Sequence, residues 1–180
     1  MKKLLIVYNT CGISGRSNIE GYISSLNSIL RQDIEDVEVV VSACMNSASD
    51  IAALKETFPD MLINSVEEIV PVSVTFNDTV RKCVNKMGEF EGYLFIDSGI
   101  DFEDQTSAIR ELYELFKSDS YGMVAARTDD DMGFDDWFNT DMVGEELFKD
   151  GHMVVPVGIA VNLHVQIFSN EMFQHYGNVL

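Results

Sequence analysis

Two carboxylates, Asp97 and Asp101, flank a Ser98-Gly99-Ile100 turn that follows an apolar run. Gly99 allows a tight or left-handed backbone there, and such a turn can aim both carboxylates at one point. Hard oxygen donors suit Mg²⁺ or Mn²⁺, and either ion can bridge diphosphate oxygens. The same residues also read as a turn cap, Asp97, followed by a solvated helix start at Asp101, Glu103 and Asp104. Tyr8, Asn9 and Thr10 close the first apolar run. Asn and Thr can hydrogen-bond a base edge and Tyr8 can stack on it, although an ordinary strand-to-loop turn has the same composition. Asn46 and Ser47 lie in a polar turn after the second run. Asn77, Asp78 and Arg81 fall at the start of a helical segment, where Arg81 can meet a phosphate, pair with Asp97, or form a structural ion pair.

Further carboxylates punctuate a long acidic stretch: Asp129, Asp130 and Asp131, then Asp135 and Asp136 beside Trp137. A long loop of this kind suits an acceptor-binding lid. Trp137 can stack on a sugar face, and Asp135 or Asp136 can take a proton from an acceptor hydroxyl. A solvated charged loop is the alternative. His164 sits in an apolar run and reads as a core histidine before it reads as a ligand. Gly12, Gly15 and Arg16 match neither a phosphate-binding P-loop nor a dinucleotide fingerprint. Cys11, Cys44 and Cys83 form no CxxC pair, so neither a zinc site nor a disulfide framework is expected.

These residues need a scaffold, and the hydrophobic pattern supplies one. Apolar runs at 4–8, 37–43, 93–96 and 121–126 predict strands, with shorter ones at 61–64 and 69–72. Ile19, Tyr22, Ile23, Leu26, Ile29 and Leu30 recur at helical spacing. Helices are also expected over 51–58, from Thr75 or Asn77 to Met87, after Asp104 or Thr106, and from Glu171. Residues 153–157 and 160–168 are apolar and β-branched. Strands alternating with helices imply a mostly parallel sheet in an α/β/α sandwich. Ligands of such sheets bind beyond the carboxyl ends of the strands. Asn9 and Thr10, Asn46 and Ser47, and Asp97 all fall at such ends.

The 180 residues suit one domain, and 46% hydrophobic residues can fill a core. The formal net charge of -18 argues against a nucleic-acid polymer as ligand. It also repels a free diphosphate, so a nucleotide would need local compensation by a cation, backbone N–H groups or a few basic side chains. Acidity that serves solubility or a salty habitat is an equal alternative. No stretch approaches the ~20 apolar residues of a membrane span. The reduced thiols and the lack of a signal-peptide pattern imply a cytoplasmic protein.

The order of these elements resembles the GT-A fold glycosyltransferases, particularly the inverting family 2 type. The first strand and loop, Leu5-Ile6-Val7-Tyr8-Asn9-Thr10, is similar to the family's nucleotide-contacting segment. Leu26-Asn27-Ser28-Ile29-Leu30-Arg31-Gln32 matches its helix of the form L-x-S-[IL]-L-x-Q. Val37-Glu38-Val39-Val40-Val41, with the turn from Asn46 to Asp50, matches its second strand. Gly92-Tyr93-Leu94-Phe95-Ile96-Asp97 matches the approach to its Asp-x-Asp metal motif, although Gly99 stands where the second carboxylate belongs and Asn46 where an acid is usual.

The resemblance covers about residues 3–126. It implies a nucleotide-sugar-binding half over 1–126 and an acceptor half over 127–180. It further implies transfer of a sugar from a UDP- or GDP-linked donor to a carbohydrate or other hydroxyl acceptor. Tyr8, Asn9, Thr10, Asn46, Ser47, Arg81 and Asp97 would contact the nucleotide. Asp97 and Asp101 would hold Mn²⁺ or Mg²⁺, and Asp135 or Asp136 would be the base. A non-catalytic nucleotide-sugar-binding or scaffold domain, and a nucleotidyltransferase, are the alternatives.

Overall fold

A computed structural model describes residues 2–12, 18–118, 122–126, 147–149, 152–154 and 164–176. The first apolar run becomes strand β1 (Lys2–Cys11), which continues through Asn9, Thr10 and Cys11. The sequence suggests a turn there. Pairing on both flanks overrides that local preference: Asn9 lies opposite Ser42 on one side and Asp97 on the other. Two ladders of backbone hydrogen bonds outweigh the turn tendency of one Asn.

The chain then alternates as predicted through α1 (Ile19–Leu30), β2 (Val37–Cys44), α2 (Ala48–Thr57), β3 (Leu62–Val66), α3 (Val72–Met87), β4 (Phe90–Asp97), α4 (Ala108–Ser118) and β5 (Met123–Ala125). β6 (Leu147–Lys149), β7 (His152–Val154), β8 (Val165–Ser169) and α5 (Asn170–Tyr176) follow. α2 begins earlier than its apolar residues suggest because the Ser47 hydroxyl accepts from the Asp50 N–H at 3.1 Å, an N-cap. The strand expected over 69–72 does not form. Pro71, with φ -55°, instead precedes the first residue of α3. A missing N–H is harmless at a helix start, and the Pro71 carbonyl accepts from Val74 and Thr75.

The main sheet has six strands in the order β3-β2-β1-β4-β8-β5. β1 to β4 are mutually parallel, and β8 runs antiparallel between β4 and β5. The sheet is therefore mostly parallel, as expected, and helices cover both faces. α1, α2 and α4 pack on one face through Leu26, Leu54 and Ile109, against Leu4, Ile6, Tyr8 and Ile96. α3 and α5 pack on the other through Phe76, Val80 and Phe173, against Leu5, Val7, Val40 and Phe95. Period-two alternation along β1 thus sends Tyr8 and Thr10 to the α1 face and Asn9 and Cys11 to the α3 face. β6 and β7 pair with each other in a separate two-stranded sheet.

Candidate functional site

The carboxyl ends of β1, β2 and β4 lie side by side, and the polar residues there form two groups. At the β1–β2 end, Met45 adopts φ 54°, a left-handed conformation that costs a non-glycine residue about 1 kcal/mol. The kink is held by the Met45 N–H, which donates to the Val66 carbonyl at 2.8 Å. It brings Asn46 back toward β1, where the Thr10 hydroxyl donates to Asn46 Oδ1 at 2.8 Å. The Gly12 N–H donates to the Cys44 carbonyl at 2.9 Å. A side chain at Gly12 would lie 2.2 Å from the Met45 carbonyl oxygen, so only glycine permits this approach. From α1, the Tyr22 hydroxyl donates to the Cys11 carbonyl at 3.2 Å, and burial pushes its phenol upward.

Tyr8 and Thr10 are both fully buried, and Asn9 nearly so. The Tyr8 ring is core and offers no open face for stacking. Its hydroxyl has no hydrogen-bond partner of good geometry, and burial pushes it up to about 12. Asn9 Oδ1, Ser42 Oγ and Gln166 Nε2 are likewise buried and unpartnered among the described residues. All three belong to the α3 face, at or near the carboxyl edge. Buried polar atoms in natural proteins are normally paired, so this row marks the edge as polar by design.

At the β4 end, Asp97 Oδ1 accepts from the Ser98 N–H at 2.9 Å, and the Asp97 N–H donates to the His164 carbonyl at 2.7 Å. His164 immediately precedes β8. Its Nδ1 lies 3.5 Å from Asp97 Oδ2, and its side chain is 44% exposed. The sequence suggested a core histidine. The antiparallel insertion of β8 beside β4 places it at the carboxyl edge instead. Periodicity gave no signal for this, because it depends on a long-range pairing. Gly99 has φ +91°, the left-handed backbone expected of it. Beyond it the chain is clipped along α1. Ser28 Oγ accepts from the Phe102 N–H at 3.1 Å, Arg31 donates to the Glu103 carbonyl at 3.1 Å, and Gln32 donates to the Gln105 carbonyl at 2.6 Å. Ser28 and Gln32 are the polar members of the L-x-S-[IL]-L-x-Q helix pattern, and this clip is their structural work.

Asp101 belongs to that clip. Its Oδ2 accepts from Ser24 Oγ at 2.6 Å and its Oδ1 from the Glu103 N–H at 2.8 Å. These two hydrogen bonds, Ser24 first, hold its carboxyl below the ordinary range. Ser47 is exposed and serves as the α2 cap. Arg81 lies nine residues beyond Val72, about 13 Å along the axis of α3 from its first residue. Asn77 is buried and donates to the Ser73 carbonyl at 2.6 Å. Asp78 pairs with Lys82 at 2.8 Å and accepts from Asn64 at 3.1 Å. Burial would raise its carboxyl, but these partners outweigh that and lower it. Asp50, 5% exposed in the first turn of α2, is a buried acid near the site that sequence reasoning passed over. Asp129, Asp130, Asp131, Asp135, Asp136 and Trp137 lie outside the described residues.

A cation finds a partial donor set here. No group of three or more His, Cys, Asp or Glu side chains among the described residues could hold a metal. Asp97 Oδ2 and His164 Nδ1 do face each other across 3.5 Å. A carboxylate with an imidazole suits Mn²⁺ as a two-residue site completed by ligand oxygens and water. Both Asp101 oxygens are engaged elsewhere.

No protein-family model matches the sequence, and no curated protein matches it. Solved structures share its backbone. The mannosyltransferase PcManGT from Pyrobaculum calidifontis, solved with GDP-Man and Mn²⁺, aligns with a TM-score of 0.66 at 14% identity, over 99% of this chain and 47% of that one. S. aureus TarS 1-349 aligns with a TM-score of 0.60 at 18% identity, over 97% of this chain and 49% of that one. TarS in complex with UDP-GlcNAc gives 0.57 at 16% identity, over 97% and 47%. The chain spans about half the length of these structures. Likeness at such identities is likeness of fold: the chain has the GT-A fold of nucleotide-diphospho-sugar glycosyltransferases. No helix among the described residues is long and apolar enough to cross a membrane.

Proposed function

We propose that the chain binds a nucleoside-diphosphate sugar across the ends of β1, β2 and β4 and takes part in transferring its sugar to an acceptor hydroxyl. The observation that carries this is the convergence of Thr10–Asn46 and Asp97–His164 on one edge of a GT-A sheet. The solved structures of this fold carry GDP-Man, UDP-GlcNAc and Mn²⁺.

In this reading Asn46, oriented by Thr10, meets the base. Ser47 and the α2 N-terminus face its ribose side, and Asn9 and Tyr8 support the edge from beneath. Asp97 and His164 would hold Mn²⁺ or Mg²⁺, which when bound neutralises charge developing on the leaving diphosphate. Asp101 braces the Asp97 loop against α1 rather than binding the ion. Asp135 or Asp136 remains the proposed base for the acceptor hydroxyl.

The test is isothermal titration of UDP, GDP, ADP and CDP with and without Mn²⁺, on the wild type and on Asp97→Asn. One diphosphate should bind in a Mn²⁺-dependent manner, with affinity at least tenfold weaker in the variant (about 1.4 kcal/mol). Absence of binding across the panel sinks the proposal. A second reading, a non-catalytic nucleotide-sugar-binding domain, is favoured by the engagement of both Asp101 oxygens. Binding without release of free sugar or transfer to any acceptor supports it.

A further inference from the structure

Cys11 and Cys44 are in-register partners on adjacent parallel strands, at the last position of the β1–β2 ladder. Alternation puts both side chains on the α3 face. Adjacent strands stand about 4.8 Å apart, inside the Cα separation of roughly 4.4–6.8 Å that a disulfide spans. The sequence hides this pairing, because a whole helix separates the two residues. All three cysteines are thiols in the structure. Cys11 is half-buried and reachable from solvent, whereas Cys44 is 3% exposed. The Cys44 Sγ–H points at the Glu68 and Val70 carbonyls, 3.7 and 3.8 Å away, in the segment leading to α3. Cys83 is fully buried on α3, and burial pushes its thiol up to about 11, so it stands apart as an inert third thiol.

We infer that Cys11 and Cys44 are a redox pair, closed by hydrogen peroxide into an intrachain disulfide between the ends of β1 and β2. In the first step the Cys11 sulfur attacks a peroxide oxygen. The O–O bond breaks, water leaves after proton transfer, and Cys11 becomes a sulfenic acid. In the second step Cys44 gives up its proton and its sulfur attacks the Cys11 sulfur. The S–O bond breaks and a second water leaves. Two thiols are oxidised, one peroxide is reduced to two waters, and a thiol reductant reverses the change. Closure leaves the strand spacing inside the disulfide's Cα range and asks only that the two Cβ atoms lean together by about 1 Å, to roughly 3.8 Å. That is feasible at the final ladder position, beyond which the strands are tied only by the Gly12 N–H to the Cys44 carbonyl and by Thr10 to Asn46 among the described residues. It also takes the Cys44 sulfur from the Glu68 and Val70 carbonyls, so oxidation releases that segment while pinning the β1–β2 end.

The experiment is stoichiometric hydrogen peroxide on the folded chain, with thiols counted after denaturation and peptides mapped without reduction. Thiols should fall from three to one, with a Cys11–Cys44 cross-linked peptide, a monomeric product and full recovery on adding dithiothreitol. Cys11→Ser should leave Cys44 and Cys83 reduced under the same treatment. The inference fails if three thiols persist, if oxidation stops at sulfinic acid, or if the linkage joins two chains or includes Cys83. Mapping the wild type decides the matter even where a variant folds poorly.

Discussion

Alanine at Gly12 is the sharpest perturbation of the β1–β2 end. Its Cβ would stand 2.2 Å from the Met45 carbonyl oxygen, 2.9 Å from the Met45 carbonyl carbon and 3.0 Å from the Asn46 Cα. All three are backbone atoms, so no side chain can rotate aside. Ordinary contact then requires the two strand ends to part by about 1 Å. Such a shift breaks the Gly12–Cys44 hydrogen bond, now 2.9 Å, at about 1 kcal/mol. Overpacking adds roughly 1–3 kcal/mol. The sum, about 2–4 kcal/mol, corresponds to a fall in melting temperature of roughly 5–12 °C for a domain of this size. Circular dichroism melts measure it, and titration with whichever nucleoside diphosphate binds the wild type should show weakened binding, because Asn46 rides on the displaced backbone. Gly99→Ala is the control. There a Cβ meets nothing within 4 Å, and only the left-handed φ of +91° is at stake, about 1–2 kcal/mol. A Gly12→Ala protein melting within 2 °C (roughly 0.5–1 kcal/mol) of wild type would refute the reasoning, as would Gly99→Ala proving the costlier change.

Two further outcomes follow from the same geometry. Ser24→Ala removes the 2.6 Å hydrogen bond to Asp101 and should cost about 0.5 kcal/mol, discounted for exposure. Asp101 has its folded pKa lowered below the ordinary 3.8. Its contribution is therefore present above that value and disappears as pH falls through the folded pKa, so denaturant midpoints of variant and wild type should converge in acid. A gap that widens in acid contradicts the assignment. Tyr8→Phe deletes a buried hydroxyl without a well-formed partner and should change stability by less than about 1 kcal/mol. A larger loss in urea titrations would mean that the hydroxyl is satisfied.

Much of the fold was legible because the strands are continuous apolar runs between amphipathic helices, and that alternation admits few topologies. Strand ends were less legible. Asn9, Thr10 and Cys11 look like a turn, and only the two flanking ladders make them strand. At 69–72, β-branched residues suggested a strand, but Pro71 instead starts α3. The candidate site's location was half legible. That Asn46 and Asp97 stand at the carboxyl ends of parallel strands, where ligands of such sheets gather, was readable from the order of the elements. The place of His164 was not, because it depends on β8 inserting antiparallel beside β4. Arg81 lies nine residues along α3 from Val72, a displacement that the helical spacing alone does not relate to the strand ends. Asp101 stands two residues past the Asp-x-Asp position, and its oxygens accept from Ser24 and the Glu103 N–H, of which the Ser24 partner is invisible without the α1 packing.

The charge balance sharpens what the proposed site must do. A chain of net charge -18 repels a diphosphate, and the cationic side chains of the described residues give little relief at the edge. Arg31 donates to the Glu103 carbonyl, Lys82 pairs with Asp78, and Arg81 lies down the length of α3. Asp97 and the buried Asp50 add negative charge of their own. Backbone N–H groups at the start of α2 supply partial positive charge, worth only about 0.3–1 kcal/mol at an exposed terminus. On the proposed reading, a cation between Asp97, His164 and the diphosphate is thus the dominant attractive term, and nucleotide affinity should depend far more on Mn²⁺ than on any one basic side chain. The Mn²⁺ arm of the titration decides this directly: equal affinity with and without the ion would place the diphosphate away from Asp97.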